Sequence, residues 1–383
     1  MAQLELKSVR DADVAGKRVL LRTSLNVPIN ADGTVGDVFR LQKDVATIEF
    51  LVRKGAKIIL VGYIGRTGGT LAPVAKALQS LIPSIPVTFT TTAVADVGGE
   101  VEVLKEGSCL MLENIRKEPG EENPSAGGDP ALAASLAKLA DVFVDDAFPE
   151  AHRAYASNVG VASLLPAYAG LLLEEEVARL SHALVPPAKS LAIIGGAKFE
   201  TKQPLLEKLL TVYPNILLGG ALANDLLKAR GLTIGTSLIS DAPVPEDLAG
   251  DERILMPDDV RVDGGVLGVR VAHTADVRAD EHIVDIGSLT EASWSKHITE
   301  AEFVLWNGPM GIYEKGFVDG TDALAEALVN SSAKAVIGGG DTAAALAKFT
   351  FDPARIFVST GGGAMLEFLA NGGTLPALEV LKK

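Results

Sequence analysis

The chain of 383 residues has a single cysteine, Cys109. One thiol excludes an intramolecular disulfide framework, fits a reducing compartment and leaves Cys109 as a small buried apolar side chain. Basic charge is also short: 35 Lys and Arg stand against 49 Asp and Glu, a net charge of −14. Binding to nucleic acid or an anionic membrane needs a basic face, so neither partner is expected, though a local basic cleft for a small anion stays open. Long apolar runs are missing. The longest, VASLLPAYAGLLL, contains a proline, is too short to span a bilayer and runs into EEE. The opening segment MAQLELKSVRDADVAGKR mixes charges without an apolar stretch, so no secretory signal is expected, and a soluble cytoplasmic protein is. Several signatures are absent too. There is no GxxxxGK[ST] loop, no HExxH and no CxxC, and the glycine triplets do not fit GxGxxG. Five scattered histidines argue against a histidine metal site.

What is present is alternation. RVLLR (18–22), KIILVG (57–62), PVTFT (86–90), SCLML (108–112) and DVFVDD (141–146) read as buried strands. Between them LQKDVATIEFLVRKG, LAPVAKALQSLI and DPALAASLAKLA have helical spacing. The pattern restarts with LAIIGG (191–196), NILLGG (215–220), HIVDIG (282–287), FVLWNG (303–308), AVIGGG (335–340) and IFVSTGGG (356–363). Strand alternating with helix predicts parallel sheets covered on both faces, and the length points to two domains or three. A Pro/Gly break leading into a helix at 164–184 marks the expected boundary, and 232–280 reads as an excursion with a few short strands.

In open parallel sheets ligands sit at the carboxyl ends of the strands. In the second half these ends are glycine-rich: GGAKFETK (195–202), GGALAND (219–225), NGPMGIYE (307–314), GGGDT (338–342) and STGGGA (359–364). Glycine is entropically costly unless something must approach the backbone closely, and unpaired N–H groups at a helix start attract phosphate. Gly338, Gly339 and Gly340 therefore suggest a phosphate seat, with Asp341 able to hold a divalent cation. A tight turn capped by Asp341 or Thr342 explains that one stretch equally well. Five such ends in one half-chain are harder to explain as packing. Lys198 and Lys202, four apart, point the same way on a helix, either as a solvated pair or toward a phosphate. The first half contributes Arg22, Arg40, Arg66, Arg116 and Arg153, and all but Arg22 are expected in loops after strands. Singly these are surface residues; converging, they would cradle a small, highly anionic substrate.

Taken together, WNGPMG, GGGDT, STGGGA, GGAK, LEN.R, DAF..AHRA.AS and R...NVP give the chain a full-length resemblance to the phosphoglycerate kinases. The resemblance implies an α/β fold of two Rossmann-like domains with parallel sheets joined by a hinge helix. It implies a triose-binding domain over 1–168, a nucleotide-binding domain over 169–362 and a C-terminal segment, 363–383, returning to the first. The implied reaction is reversible phosphoryl transfer between 1,3-bisphosphoglycerate and Mg-ADP, giving 3-phosphoglycerate and ATP, in a monomer with Mg²⁺ accompanying the nucleotide. Lys202 would contact the transferring group and Lys198 the nucleotide phosphates. Asp341 would hold Mg²⁺, while Thr342, Gly339 and Gly340 would seat phosphates. Glu314 would bond the ribose, and Gly219, Gly220, Gly287, Asn307 and Pro309 would frame the base. Asn26, Arg40, Arg66, Arg116 and Arg153 match triose-binding positions. Arg40, Lys202, Gly339 and Gly362 are the implied catalytic set.

The chain departs from the family pattern locally. Ser24 stands where the family has Asp, Tyr63 where it has His, Thr67 where it has Pro, and Pro149 and Glu150 where Gly and Thr are usual. The family's Asp and His bond the hydroxyl and carboxylate end of phosphoglycerate, so Ser24 and Tyr63 bear on triose specificity rather than nucleotide binding. Two rival readings follow: the same machinery acting on a related acidic acceptor, or a nucleotide-binding paralogue without catalysis.

Overall fold

The computed structural model describes residues 4–65, 68–123, 127–197 and 199–383. The chain divides into two compact units, Met1–Ala178 with Gly373–Lys383, and Arg179–Gly372. Helix Leu171–Leu184 carries the chain from one to the other. The seams fall after Ala178 and Gly372, whereas the sequence reading puts boundaries after residues 168 and 362.

In the first unit six strands pair in parallel: β1 (Arg18–Arg22), β2 (Lys57–Val61), β3 (Val87–Phe89), β4 (Cys109–Met111), β5 (Val142–Asp145) and β6 (Ala167–Ala169). Their order is β3-β4-β2-β1-β5-β6. Val19, Leu20 and Leu21 of β1 and Ile58, Ile59, Leu60 and Val61 of β2 are all buried, as a sheet covered on both faces requires. Helix Phe39–Arg53 turns Leu41, Asp44, Thr47, Ile48 and Leu51 inward, the spacing of one helical face. Cys109 is buried on β4, and burial pushes its thiol up to about 12. The tail belongs to this unit: Lys7 N–H donates to Leu381 O at 2.9 Å and Lys383 N–H to Glu5 O at 3.0 Å.

The second unit has a parallel sheet built from β7 (Ser190–Ile194), β8 (Asn215–Leu218), β9 (Ile254–Leu255), β13 (Phe303–Asn307), β14 (Lys334–Gly338) and β15 (Ile356–Val358). Its order is β15-β14-β13-β7-β8-β9. A separate antiparallel sheet, β11-β10-β12, joins β10 (Asp259–Asp263), β11 (Val269–His273) and β12 (His282–Ile286). HIVDIG, read from sequence as part of the parallel pattern, is β12 and lies in this antiparallel sheet instead. Val260, Val262, Ala272 and Val277 give the excursion a small core of its own, which draws β12 to β10. Strands β6 and β9, three and two residues long, are too short to show any periodicity.

The sheet orders decide where the sites lie. Connections leave in opposite directions on either side of the β1/β5 junction in the first unit and the β7/β13 junction in the second. Each junction opens a crevice at the carboxyl ends of its strands.

Candidate active site

In the second unit β7 ends at Ile194 and β13 at Asn307, and the backbones at these ends nearly touch. Gly195 N–H donates to Asn307 O at 2.8 Å, and Gly196 N–H donates to Pro309 O at 3.0 Å. A Cβ on Gly308, whose φ is +97°, would meet Gly195 O at 2.2 Å, and one on Gly220, φ +63°, would meet Gly196 N at 2.5 Å. These glycines let three strand ends close into one shelf.

Beside the shelf lies a cavity of about 510 Å³, lined by Gly196, Gly220, Pro309, Glu314 and Asp341 among others. Its apolar wall includes Leu238, Ile283, Val284, Met310 and Ile312, the kind of surface that a flat ring can cover. Lys202, on helix Phe199–Leu209, is buried at 7% exposure and donates to the Gly195 carbonyl. Burial lowers its ammonium to about 8, while the nearby Asp341 carboxylate acts in the opposite sense. Asp341 is exposed and accepts a hydrogen bond from Tyr313 Oη at 3.4 Å. Among the described residues there is no group of three or more His, Cys, Asp or Glu that could hold a metal ion.

The other implied positions divide by role. Gly340 faces open space, and a Cβ on Gly362 would sit 3.5 Å from the Gly340 nitrogen, so these glycines lie together at the end of β14. The Thr342 hydroxyl accepts from Gly308 N–H at 2.7 Å and donates to Gly338 O at 2.8 Å, which ties the β13 and β14 ends together. Asn307 Nδ2 donates to Gly338 O at 2.9 Å for the same purpose. A Cβ on Gly339 would press on both Thr342 and Asn307. Gly219 packs under Met310 and Gly287 against the Asp259 carboxylate; neither lines the cavity. Lys198 lies outside the described residues. The sequence reading passed over Tyr313 and Asp285. Tyr313 sits inside the quoted NGPMGIYE, and only the fold brings its hydroxyl to Asp341. Asp285 is raised to about 7 by burial, against the Gly320 and Ile286 amides that stabilise its charge.

In the first unit Asn26, Tyr63, Gly65, Arg40 and Arg116 converge. Asn26 Oδ1 accepts from Gly65 N–H at 3.0 Å, its Nδ2 donates to Tyr63 Oη at 3.4 Å, and its carbonyl accepts from Arg40 Nη1 at 2.6 Å. Arg116 donates to Gly65 O at 2.7 Å, pairs with Glu122 at 2.7 Å and stacks 3.5 Å from the Tyr63 ring centroid. Arg153 is exposed, just beyond the turn that carries Glu150. Arg66 and Thr67 lie outside the described residues. Two sequence expectations need correction. Arg40 is in the first turn of helix Phe39–Arg53, not in a loop. Arg22 is fully buried, donates to Ser157 Oγ at 2.8 Å and pairs with Glu150 at 3.5 Å, so it is an interior cation rather than part of an open cradle. Around it burial raises Asp145 to about 7 and Asp146 to about 6, and Asp44 well above its usual value.

Comparison with known proteins agrees with this geometry. The family model described as phosphoglycerate kinase matches residues 9–372. The chain belongs to the phosphoglycerate kinase family. It is 40% identical over 396 residues to the phosphoglycerate kinase of Herpetosiphon aurantiacus, covering 98% of each chain. Against the Thermus thermophilus phosphoglycerate kinase it is also 40% identical, covering 98% of this chain and 100% of that one. Among solved structures, the phosphoglycerate kinase of Coxiella burnetii superposes with a TM-score of 0.81 at 35% identity, covering 98% of each chain. The protein is thus a kinase of this family, a phosphotransferase with a carboxyl acceptor, and neither rival reading is favoured. Among the described residues no helix is long and apolar enough to cross a membrane.

Proposed function

We propose that the chain catalyses reversible transfer of the acyl phosphate of 1,3-bisphosphoglycerate to ADP, with the nucleotide on the second unit and the triose on the first. The observation that carries the assignment of sites is the buried Lys202 ammonium beside the glycine shelf, next to a cavity with an apolar wall and the exposed Asp341 carboxylate. The acceptor oxygens, a carboxylate in one direction and a diphosphate in the other, are already ionised at neutral pH. No general base is needed, and the work is positioning and neutralising charge. Lys202 supplies a positive charge to the transferring group, with Lys198 on the nucleotide phosphates. Backbone N–H groups at Gly339, Gly340 and Gly362 donate to phosphate oxygens, Thr342 keeps that loop in place, and Arg40 balances charge at the acceptor end. Glu314 bonds the ribose, and Gly219, Gly220, Gly287, Asn307 and Pro309 shape the base site. Asn26, Arg66, Arg116 and Arg153 hold the triose.

Magnesium fits this arrangement. The exposed Asp341 carboxylate suits an ion that keeps most of its shell as water and substrate phosphate oxygens, and would hold it. Bound there, Mg²⁺ would offset the negative charge of the phosphates. We also infer a monomer that acts in the cytoplasm. A coupled assay with 3-phosphoglycerate and Mg-ATP tests the reaction: turnover is expected, and its absence together with unchanged Mg-ADP binding would show a nucleotide-binding protein without this activity.

A further inference from the structure

Glu150 stands where the family pattern has Thr, and the structure buries it beside Arg22. It ends the short turn Phe148–Glu150 that follows β5, and only 4% of it is exposed. Its carboxylate lies 3.5 Å from Arg22 Nη1 and is near enough to the Tyr63 hydroxyl, already raised by burial, to raise it further. Two departures far apart in the chain are thus brought together. The third, Ser24, is buried with a hydroxyl oxygen that has no hydrogen-bond partner.

The charges explain why the three go together. Arg22 is acted on by Glu150, Glu121 and Asp145, and Asp44 by Asp146 and Glu150. Neither oxygen of the buried Asp44 carboxylate has a hydrogen-bond partner, and the Ser24 backbone amide and Arg40 are what favour its charge. A carboxylate at 24 would add negative charge to a neighbourhood in which Glu150, Glu121 and Asp145 already act on one buried guanidinium. Buried like charges cannot all ionise, so carboxylates at 24 and 150 compete.

Tyr63 links this charge to the substrate side. Its hydroxyl accepts from Asn26 Nδ2 and feels the Glu150 carboxylate, and its ring carries the Arg116 guanidinium at 3.5 Å. A planar cation held by a ring face, one carbonyl and one carboxylate has little freedom left to lose when it meets an anion.

We propose that Glu150 and Tyr63 form a replacement acceptor-recognition unit: the negative charge has moved from position 24 to position 150, and the Tyr63 ring beside it orients Arg116. Both are positioning residues that set affinity for the acceptor. The inference rests on the reading of the first unit as the triose site.

The test is a double-substitution cycle with Ser24→Asp, Glu150→Thr and both together, alongside Tyr63→Leu and Tyr63→Phe. Each is assayed for KM and kcat with 3-phosphoglycerate, for KM with Mg-ATP and for its urea midpoint. Ser24→Asp and Glu150→Thr are each expected to raise KM for 3-phosphoglycerate by about tenfold. The double variant should return to within about threefold of wild type, with its urea midpoint above that of Ser24→Asp. Tyr63→Leu should raise the same KM on the order of tenfold with KM for Mg-ATP unmoved, and Tyr63→Phe, which keeps the ring, should raise it less. If Ser24→Asp does not fold but the double variant does, that rescue supports the transposition. Additive effects on KM, a double variant no more stable than Ser24→Asp, or a Tyr63→Leu enzyme with wild-type KM would each overturn it. Failure of wild-type protein to use 3-phosphoglycerate would instead overturn the functional reading on which it rests, whatever the variants do.

Discussion

Lys202→Met offers the sharpest test of the nucleotide site, because it should make the protein more stable and nearly inactive. Burial lowers the Lys202 ammonium from 10.5 to about 8, a difference of about 2.5. Each pKa unit is worth about 1.4 kcal/mol, so holding the charged form in the folded protein at pH 7 costs about 3 kcal/mol. The sign follows from proton counting. Between pH 8 and 10.5 the unfolded chain binds the proton and the folded chain releases it, so stability rises with pH across that window. Methionine keeps the length and apolar stem but loses the hydrogen bond to Gly195 O, worth about 1 kcal/mol. The ligand-free variant should therefore be more stable than wild type by about 2 kcal/mol at pH 7, the gap closing toward pH 10.5. Both tryptophans, Trp294 and Trp306, are buried in the second unit's core, so fluorescence-detected urea unfolding reports on the unit that holds Lys202. Turnover in the coupled assay should fall by roughly two to three decades, with Mg-ADP affinity changing far less. A variant that is less stable than wild type at pH 7, or one that loses affinity while keeping turnover, would refute the argument.

Asp341→Ala should weaken Mg-ADP binding in calorimetry by about tenfold, and ADP binding in the presence of a chelator by much less. Gly220→Ala forces a side chain onto a φ of +63° with Gly196 N only 2.5 Å away. It should cost roughly 2–4 kcal/mol in urea unfolding of the second unit. In the first unit Asp145 at about 7 and Asp146 at about 6, raised by burial, hold protons in the folded state that the unfolded chain gives up near pH 4. Stability should thus fall as pH rises from about 4 to 7, opposed by His152, which burial lowers to about 4. Calorimetric unfolding of Asp145→Asn should show a smaller loss over that range than wild type, and an unchanged slope would count against the buried charges.

Much of this molecule was legible one stretch at a time. Strand β1 coincides with RVLLR, and most other strands fall within a residue or two of their apolar runs, because a strand buried on both faces is apolar at every position. The glycine-rich ends were legible for a similar reason: a tight turn or a close backbone approach leaves its mark on the residue that makes it. Lys202 and Asp341 could be suspected from their neighbours in the chain. Tertiary structure decided the rest. It drew β12 out of the parallel pattern, since its partner β10 lies in an excursion whose sequence shows no helix-strand alternation. It buried Arg22, which its position at a strand end had placed among surface arginines. Above all it paired Glu150 with Arg22 near Tyr63, and stacked Arg116 on Tyr63. Local propensity carries no information about such pairs, because burial, stacking and charge compensation act through space and are set by the order in which strands pair.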